Sequence, residues 1–567
     1  MHYSCVEVHC SSASAPAAAG ILTKSPGVHW LQLKTRSVTR NYAGRSIIGT
    51  GASQTSASIP SHVFDAIPLN PASSIIAVAD SGLDRNNCFF CNSNTECKRD
   101  TSTPAGRNVH KYWFMSSSNC AFCGRCGTAA KGSQPAQACG NDIDQIGHGT
   151  HVCGTIAGKS LTITSPSTER QNGIAAGASL FFQDIHNGQS KSACLAAGLL
   201  EGCGDGLSPP TDLYYLFKPA YDAGARVHSN SWGCAASTPE TPYDCNIYDK
   251  NAMGIDDFVF QNDDFLVLVA ASNDGLNADD KTVGAPATCK NCLSVGATQL
   301  NADQIAADAI YTDPSSFCDQ LRPDVRPRCC ISSPPSCDVA DCCTAIVDHG
   351  VCFSCCNKPC TVAQHSPSAS NLAAFSSRGP TMDSRFKPDI GAPGETISSA
   401  CAGVKPATDT EAAQAAGLLN HCSVNPVPSV NCALTVESGT SMATPLMAGA
   451  SECVFYLLRF NTMFCSHEHM LCRYVRQYFL RGFFPSGGFV PLDEIVPVPS
   501  ALVRATVIAG ARQITGTVKD ARNSYVPLPN WYPNYAIGFG RAVLDRTLYV
   551  SSICDRGKFV KSFLLGT

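Results

Sequence analysis

Four runs of apolar residues stand out along the chain, each closing on small or polar residues: SIIAVAD (74–80), ASLFFQDI (178–185), ARVHSNSW (225–232) and DFLVLVAAS (264–272). Continuous apolar runs of this length fit strands buried on both faces of a parallel sheet. Between and after them lie stretches that read as helices, over 148–158, 209–224, 249–262 and 441–459. Strand–helix alternation predicts a layered α/β fold. The nearest approach to a membrane span is LMAGASECVFYLLRF from position 446, which is short and holds Glu452 and Arg459. It is read as a buried helix, so no transmembrane segment is expected.

Two stretches break the pattern. Residues 88–139 carry seven cysteines among Asn, Ser, Gly and Lys, and residues 318–360 carry ten. Neither shows hydrophobic periodicity, and both read as disulfide-stapled loops inserted into the α/β body rather than as parts of its core. Across 567 residues there are 33 cysteines, an odd number, which leaves at least one thiol free or paired between chains. Such density points to disulfides and an oxidising compartment, secreted or in the endomembrane or lysosomal lumen. The first residues, MHYSCVEVHCSSASAPAAAG, lack a basic start and an uninterrupted apolar run, so they make a poor signal peptide. They imply a start inside a longer precursor or another export route. The net charge is −4 with no basic stripe, which argues against nucleic acid as a partner.

Four short strings carry the candidate chemistry. In IIAVADSGLD, Asp80 stands at the carboxyl end of a buried strand, the edge at which open α/β sheets gather ligands. An Asp there can orient an imidazole, or merely open the Ser-Gly turn. In GHGTHVCGTIAG, His148 lies at a helix N-terminus and His151 one turn on. The pair could bind zinc, but Gly149 stands where the carboxylate of H-E-x-x-H would be, and the spacing differs. A general base and a structural histidine remain open for His148. Cys153 lies about 140° round the helix from His148, so a Cys–His nucleophile pair is disfavoured. In ESGTSMATPLMAGA, Ser441 is set on the first turn of an apolar helix, as a nucleophile or as a plain N-cap. In VLVAASNDG a buried strand ends at Asn273, whose amide can donate to a developing oxyanion or simply favour a turn.

Taken together these strings resemble the subtilases, the subtilisin-like serine proteases, whose chain order Asp, His, Asn, Ser is kept as Asp80, His148, Asn273, Ser441. GIAAGASLFFQDI, SNSWG (229–233), FSSRGP (375–380), KPDIGAPG (387–394), PSALVRATVIAGARQ and GFGRAVLD resemble the family as well, so the likeness runs from about 70 to 548. It implies a three-layer α/β subtilisin-like fold with a mostly parallel central sheet flanked by helices. It implies a serine endopeptidase in which Asp80, His148 and Ser441 form a triad, Asn273 donates to the oxyanion, and Ser231, Trp232 and Gly233 bind protein or peptide substrate as an added strand. A monomer with no required cofactor is expected.

Several features depart from the family pattern. Ser272 stands where Gly usually precedes the Asn, and Cys153 replaces an Ala. The CKNC of 289–292 can bind zinc or act in redox, but a local bridge or two separate bridges is the preferred reading. CAFCGRC (120–126) is the best zinc candidate, yet it lacks a matched second knuckle, so zinc is not expected. Structural calcium is frequent in the family; Asp142 and Asp144 are candidate ligands, though a solvated acidic loop is preferred. The chain is divided into an N-terminal extension or prodomain remnant (1–70), a catalytic domain (71–550) with insertions at 88–139 and 318–360, and a tail (551–567).

Overall fold

The computed structural model describes residues 37–39, 75–90, 109–114, 144–159, 172–186, 207–234, 244–300, 368–402, 434–452, 479–480 and 490–543, apart from positions 86, 88, 145, 177, 208 and 523. In chain order the strands are β1 (Ser37–Thr39), β2 (Ile75–Asp80), β3 (Val109–Phe114), β4 (Ser179–Asp184), β5 (Val227–Asn230), β6 (Trp232–Cys234), β7 (Leu266–Ala270), β8 (Leu293–Thr298), β9 (Ile390–Pro393), β10 (Ile397–Ala400), β11 (Leu434–Glu437), β12 (Thr517–Lys519) and β13 (Tyr525–Pro527). The helices are α1 (His148–Ala157), α2 (Tyr214–Asp222), α3 (Lys250–Gln261), α4 (Thr440–Glu452) and α5 (Ser500–Ala509).

Seven strands form one sheet in the order β3-β4-β2-β5-β7-β8-β9, and every neighbouring pair is parallel. The alternation inside each apolar run divides its residues between two faces. Ile76, Val78, Leu266 and Leu268 join Val152 and Ile156 of α1, Leu446 and Met447 of α4 and Val503 and Val507 of α5 in one core. Ala79, Val267 and Val269 join Leu216 and Phe217 of α2 and Ile255 and Phe258 of α3 in the other. Phe217, Phe258 and Phe265 pack with ring centroids 5.2–6.0 Å apart, an arrangement worth about 0.5–1.5 kcal/mol per pair beyond buried area. The result is three layers, helix–sheet–helix: the α/β layering that the alternation predicts, in the three-layer form that the resemblance implies.

The four predicted strands and four predicted helices all form, most of them one to five residues shorter at their ends; α4 begins one residue earlier than predicted, and 453–459 of its predicted span lie outside the described residues. Within 88–139 the sequence reading needs correction. VHKYWF (109–114) is strand β3 of the central sheet, and Phe89, Phe90 and Val109 are buried in its core. β3 lies at the edge of the sheet, where polar residues are common. The rest of 88–139, and all of 318–360, lie outside the described residues.

The sheet's topology sets the site. From β2 the chain moves to β4 and β3 on one side, and from β5 it moves to β7, β8 and β9 on the other. The switch point therefore lies between β2 and β5, and the crevice at their carboxyl ends is where a ligand belongs. Asp80 ends β2, Ser231 follows β5 and Asn273 lies three residues beyond β7.

Candidate active site

Asp80 is fully buried, and its Oδ1 accepts two hydrogen bonds, from the Ser81 backbone N–H at 2.8 Å and from Nδ1 of His148 at 2.5 Å. A carboxylate on Nδ1 fixes the imidazole so that Nε2 is the nitrogen left to take a proton. The close approach of α1 to the end of β2 depends on Gly149, where an added Cβ would meet the Gly82 carbonyl oxygen at 2.1 Å.

The N-terminus of α1 is held by Asp144. Its Oδ1 accepts from Gly147 N–H at 2.8 Å and from the Ser81 hydroxyl at 3.0 Å, and its Oδ2 accepts from Thr150 N–H at 2.8 Å and Thr150 Oγ1 at 2.7 Å. Burial pushes this carboxyl up, against the opposing pull of the Thr150 and Gly147 hydrogen bonds. The expectation of a solvated acidic loop is thereby corrected at Asp144. The side chain is buried, and its oxygens are committed to closing a helix end whose N–H groups lack intrahelical partners. Asp142 lies outside the described residues.

Ser441 is the second residue of α4 and is tied to the end of β5 in both directions. Its hydroxyl donates to the Ser231 carbonyl at 2.9 Å, and the Ser231 hydroxyl donates to the Ser441 carbonyl at 2.7 Å. α4 packs against α1 and against β5, β7 and β8, which brings the first turns of α1 and α4 to the same sheet edge. His148 and Ser441 are only 3% and 2% exposed, so the chain itself covers both.

Asn273 is oriented by the same helix. Its Oδ1 accepts from Thr440 N–H at 2.8 Å and Thr440 Oγ1 at 2.9 Å, so the amide is anchored at the chain neighbour of Ser441 with Nδ2 as the remaining donor. FSSRGP acquires a role here. Ser377 Oγ accepts from Asp274 N–H at 2.9 Å, Ser377 N–H donates to the Ser272 carbonyl at 3.0 Å, and the Phe375 carbonyl accepts from Gly275 N–H at 2.9 Å. Gly275 is required at this point, since a Cβ would meet the Ser376 carbonyl oxygen at 2.3 Å.

Ser272 has φ 85°, the left-handed region, which gives the usual glycine at this position its reason. The serine is held there by the clamp and by packing, at a cost of about 1–2 kcal/mol. Ser272→Gly is expected to match or exceed the parent melting temperature. Ser272→Val, β-branched at positive φ, is expected to lose about 1–3 kcal/mol, read by thermal unfolding of the three proteins.

Of the expected substrate strand, Trp232, Gly233 and Cys234 form β6 and Ser231 sits at its entrance. With Ala270, Ser272, Thr440 and Ser441 they line a small cleft with no charged side chain in its wall. Cys234 is bonded to Cys245, which anchors the far end of β6, and Cys289 to Cys292, so CKNC forms the local bridge. Cys153 is a free, buried thiol in the core, and burial pushes it well up, leaving it inert. His151 is buried and pushed down to about 3, chiefly by burial and then by His148, so it is a neutral structural group. Among the described residues no group of three or more His, Cys, Asp or Glu is arranged to hold a metal ion, and no helix is long and apolar enough to cross a membrane. CAFCGRC lies outside the described residues.

Sequence reasoning missed Thr440 as the anchor of Asn273, Ser81 as the link from Asp80 to Asp144, and Glu437. The Glu437 carboxyl, at the end of β11, is pushed up to about 7 by burial, with His148 pulling it down and Asp144 and Asp80 pushing it up. The only sequence signal for Thr440 was its place inside the Gly-Thr-Ser string; Glu437 had none.

Comparison with known proteins gives the relatives of this arrangement. Residues 72–457 match the model of the subtilase family. The chain is 29% identical over 508 residues to the serine protease/ABC transporter B family protein tagD of Dictyostelium discoideum, covering 86% of this chain and 23% of that one. It is 30% identical to tagB of the same organism, covering 86% and 22%. The chain thus spans about a quarter of the length of these curated relatives. Similar solved structures include sphericase, at 16% identity, TM-score 0.37 and coverage of 85% and 96%. The Clostridium perfringens CspB protease is similar at 13% identity, TM-score 0.40 and coverage of 84% and 94%.

Proposed function

The chain belongs to the subtilase family, and from that premise we propose that it is a serine endopeptidase working through Asp80, His148, Ser441 and Asn273. The observation that carries the proposal is the carboxylate–imidazole contact of 2.5 Å at the sheet's switch point, on the same edge as Ser441 and the anchored Asn273 amide. Ser441 Oγ attacks the substrate carbonyl carbon while His148 Nε2 takes the hydroxyl proton. Asp80 holds the imidazole and stabilises its cationic form without taking a proton itself. The oxyanion receives hydrogen bonds from Asn273 Nδ2 and the Ser441 backbone N–H. His148 returns the proton to the leaving amine, and water then hydrolyses the ester by the same steps in reverse order.

Substrate adds as a strand to Ser231–Gly233, with one side chain directed into the uncharged cleft. Three described bonded cysteine sites, at Cys234, Cys289 and Cys401, support work in an oxidising compartment. The test is hydrolysis of denatured casein and of a fluorogenic peptide library by the purified protein. Cleavage supports the proposal, and a folded, processed protein that cleaves neither refutes it. Asn273→Ala is expected to lower kcat by about 10²–10³ with KM little changed, because the donor acts where charge develops in the transition state. Steady-state kinetics on the best library peptide measures it.

A further inference from the structure

Three acids lie within electrostatic reach of one another at the start of α1: Asp80, Asp144 and Glu437. Two of them are committed. Asp80 accepts from His148 and Ser81, and Asp144 closes the N-terminus of α1. Glu437 is not. No hydrogen bond or cation other than His148 engages its carboxyl among the described residues. It is half-buried, and Ser438 beyond it is exposed, so the carboxyl stands where the site opens to solvent.

The ribbon of β10 and β11 sets its position. Ile397 pairs with Glu437 and Ser399 with Thr435. Ser399 Oγ donates to the His151 carbonyl at 2.8 Å, and the backbones of Ile397 and Thr435 lie against the His151 ring. Thr435 and Glu437 share a face of β11, because side chains alternate along a strand. His148 precedes His151 by about one helical turn. The ribbon therefore carries the 437 carboxyl to the His148 end of α1, four residues before Ser441 in the chain.

This position lies on one particular side of the nucleophile. The wall of the uncharged cleft includes neither Glu437 nor His148, and in the endopeptidase reading that cleft takes a side chain from the acyl part of the substrate. The leaving amine must reach His148 to receive its proton, so the departing segment passes Glu437. We propose that Glu437 is a specificity-determining residue, which selects substrates carrying lysine or arginine immediately after the bond that is cut. The inference deepens the endopeptidase reading and rests on it. A cationic side chain there gives Glu437 the partner it lacks, in a half-buried setting where water screens the pair less than in the open. An acidic side chain is repelled by Glu437, with Asp144 and Asp80 adding to the repulsion. The steps of bond cleavage are unchanged.

The preference should also follow pH. The Glu437 carboxyl is raised to about 7 by burial, with His148 pulling it down and Asp144 and Asp80 pushing it up. His151, the other titratable group packed against the ribbon, is neutral at these pH values. Glu437 is therefore charged above about 7 and neutral well below it, so the preference is present in alkali and fades in acid.

The test uses the chain of residues 1–567 and internally quenched peptides that differ only in the residue after the scissile bond, Lys in one and Glu in the other. The readout is the ratio of their kcat/KM values from pH 5 to 9, which cancels any loss common to both. Fluorophosphonate labelling of Ser441 confirms an intact site in each protein. At pH 8 the parent is expected to favour the Lys peptide by about tenfold, attraction and repulsion acting together. The ratio is expected to fall toward unity at pH 5, to lie within about twofold of unity at every pH in Glu437→Gln, and to invert in Glu437→Lys. The pH series on the parent tests the proposal without any substitution. A parent that cleaves both peptides equally, or whose ratio stays constant across the pH range, overturns this inference and leaves the endopeptidase reading standing. A Glu437→Gln protein that is slower on both peptides but keeps the parent ratio overturns it too. A folded, processed parent that neither labels nor cleaves removes both.

Discussion

Ser441→Ala is expected to lower kcat by about 10⁶ while leaving the fold intact. The magnitude follows from what the hydroxyl does. In the proposed mechanism it is the atom that forms the covalent intermediate, and without it His148 has no proton to accept, so the three groups are expected to fail as a unit. For that reason the double variant Ser441→Ala with His148→Ala is expected to be scarcely slower than either single one. A residual acceleration of about 10³–10⁴ over water is expected to survive, because strand binding and the Asn273 donor remain. The structural cost is small. The lost hydrogen bond to the Ser231 carbonyl is worth about 1 kcal/mol, and α4 stays buried along its apolar face. Kinetics together with a melting curve therefore separate a missing nucleophile from a damaged fold.

Asp80→Asn is expected to cost about 10⁴ in kcat with little change in KM. The amide is nearly isosteric, and its oxygen can still accept from Ser81 N–H and His148 Nδ1. What it loses is charge beneath an imidazole that must become cationic, in a buried position where water cannot substitute. The amide can also turn its NH₂ toward Nδ1, which places the imidazole proton on Nε2 and removes the base. Steady-state kinetics from pH 6 to 10 is the measurement. A loss of tenfold or less across that range would show that His148 does not depend on Asp80.

The central sheet was legible because burial on both faces leaves runs such as IIAVA and FLVLVAA, which few other environments require. β3 was missed for the opposite reason: VHKYWF is an edge strand set among cysteines, and its polar residues hide the period. β9, only four residues with Gly and Pro among them, has too little pattern to read. The four proposed site residues were legible as ends of apolar elements, since ligands gather at the carboxyl edge of a parallel sheet. What holds them was not. The Asp144 clamp, the Thr440 anchor and the FSSRGP brace join residues that are distant in sequence except across the α1 turn, and no local spacing records them. Ser272 is instructive in the other direction, because its departure from glycine in the sequence marked the strained position that the backbone then displayed.

The central claim is that Ser441 is an activated nucleophile within reach of an imidazole held by Asp80. The most direct measurement is mass-spectrometric mapping of a fluorophosphonate adduct on folded, processed protein. The account predicts one adduct per chain, on Ser441, formed at least a hundredfold more slowly in His148→Ala. Adduct formation on a different residue, or a folded and processed protein that stays unlabelled, would contradict it.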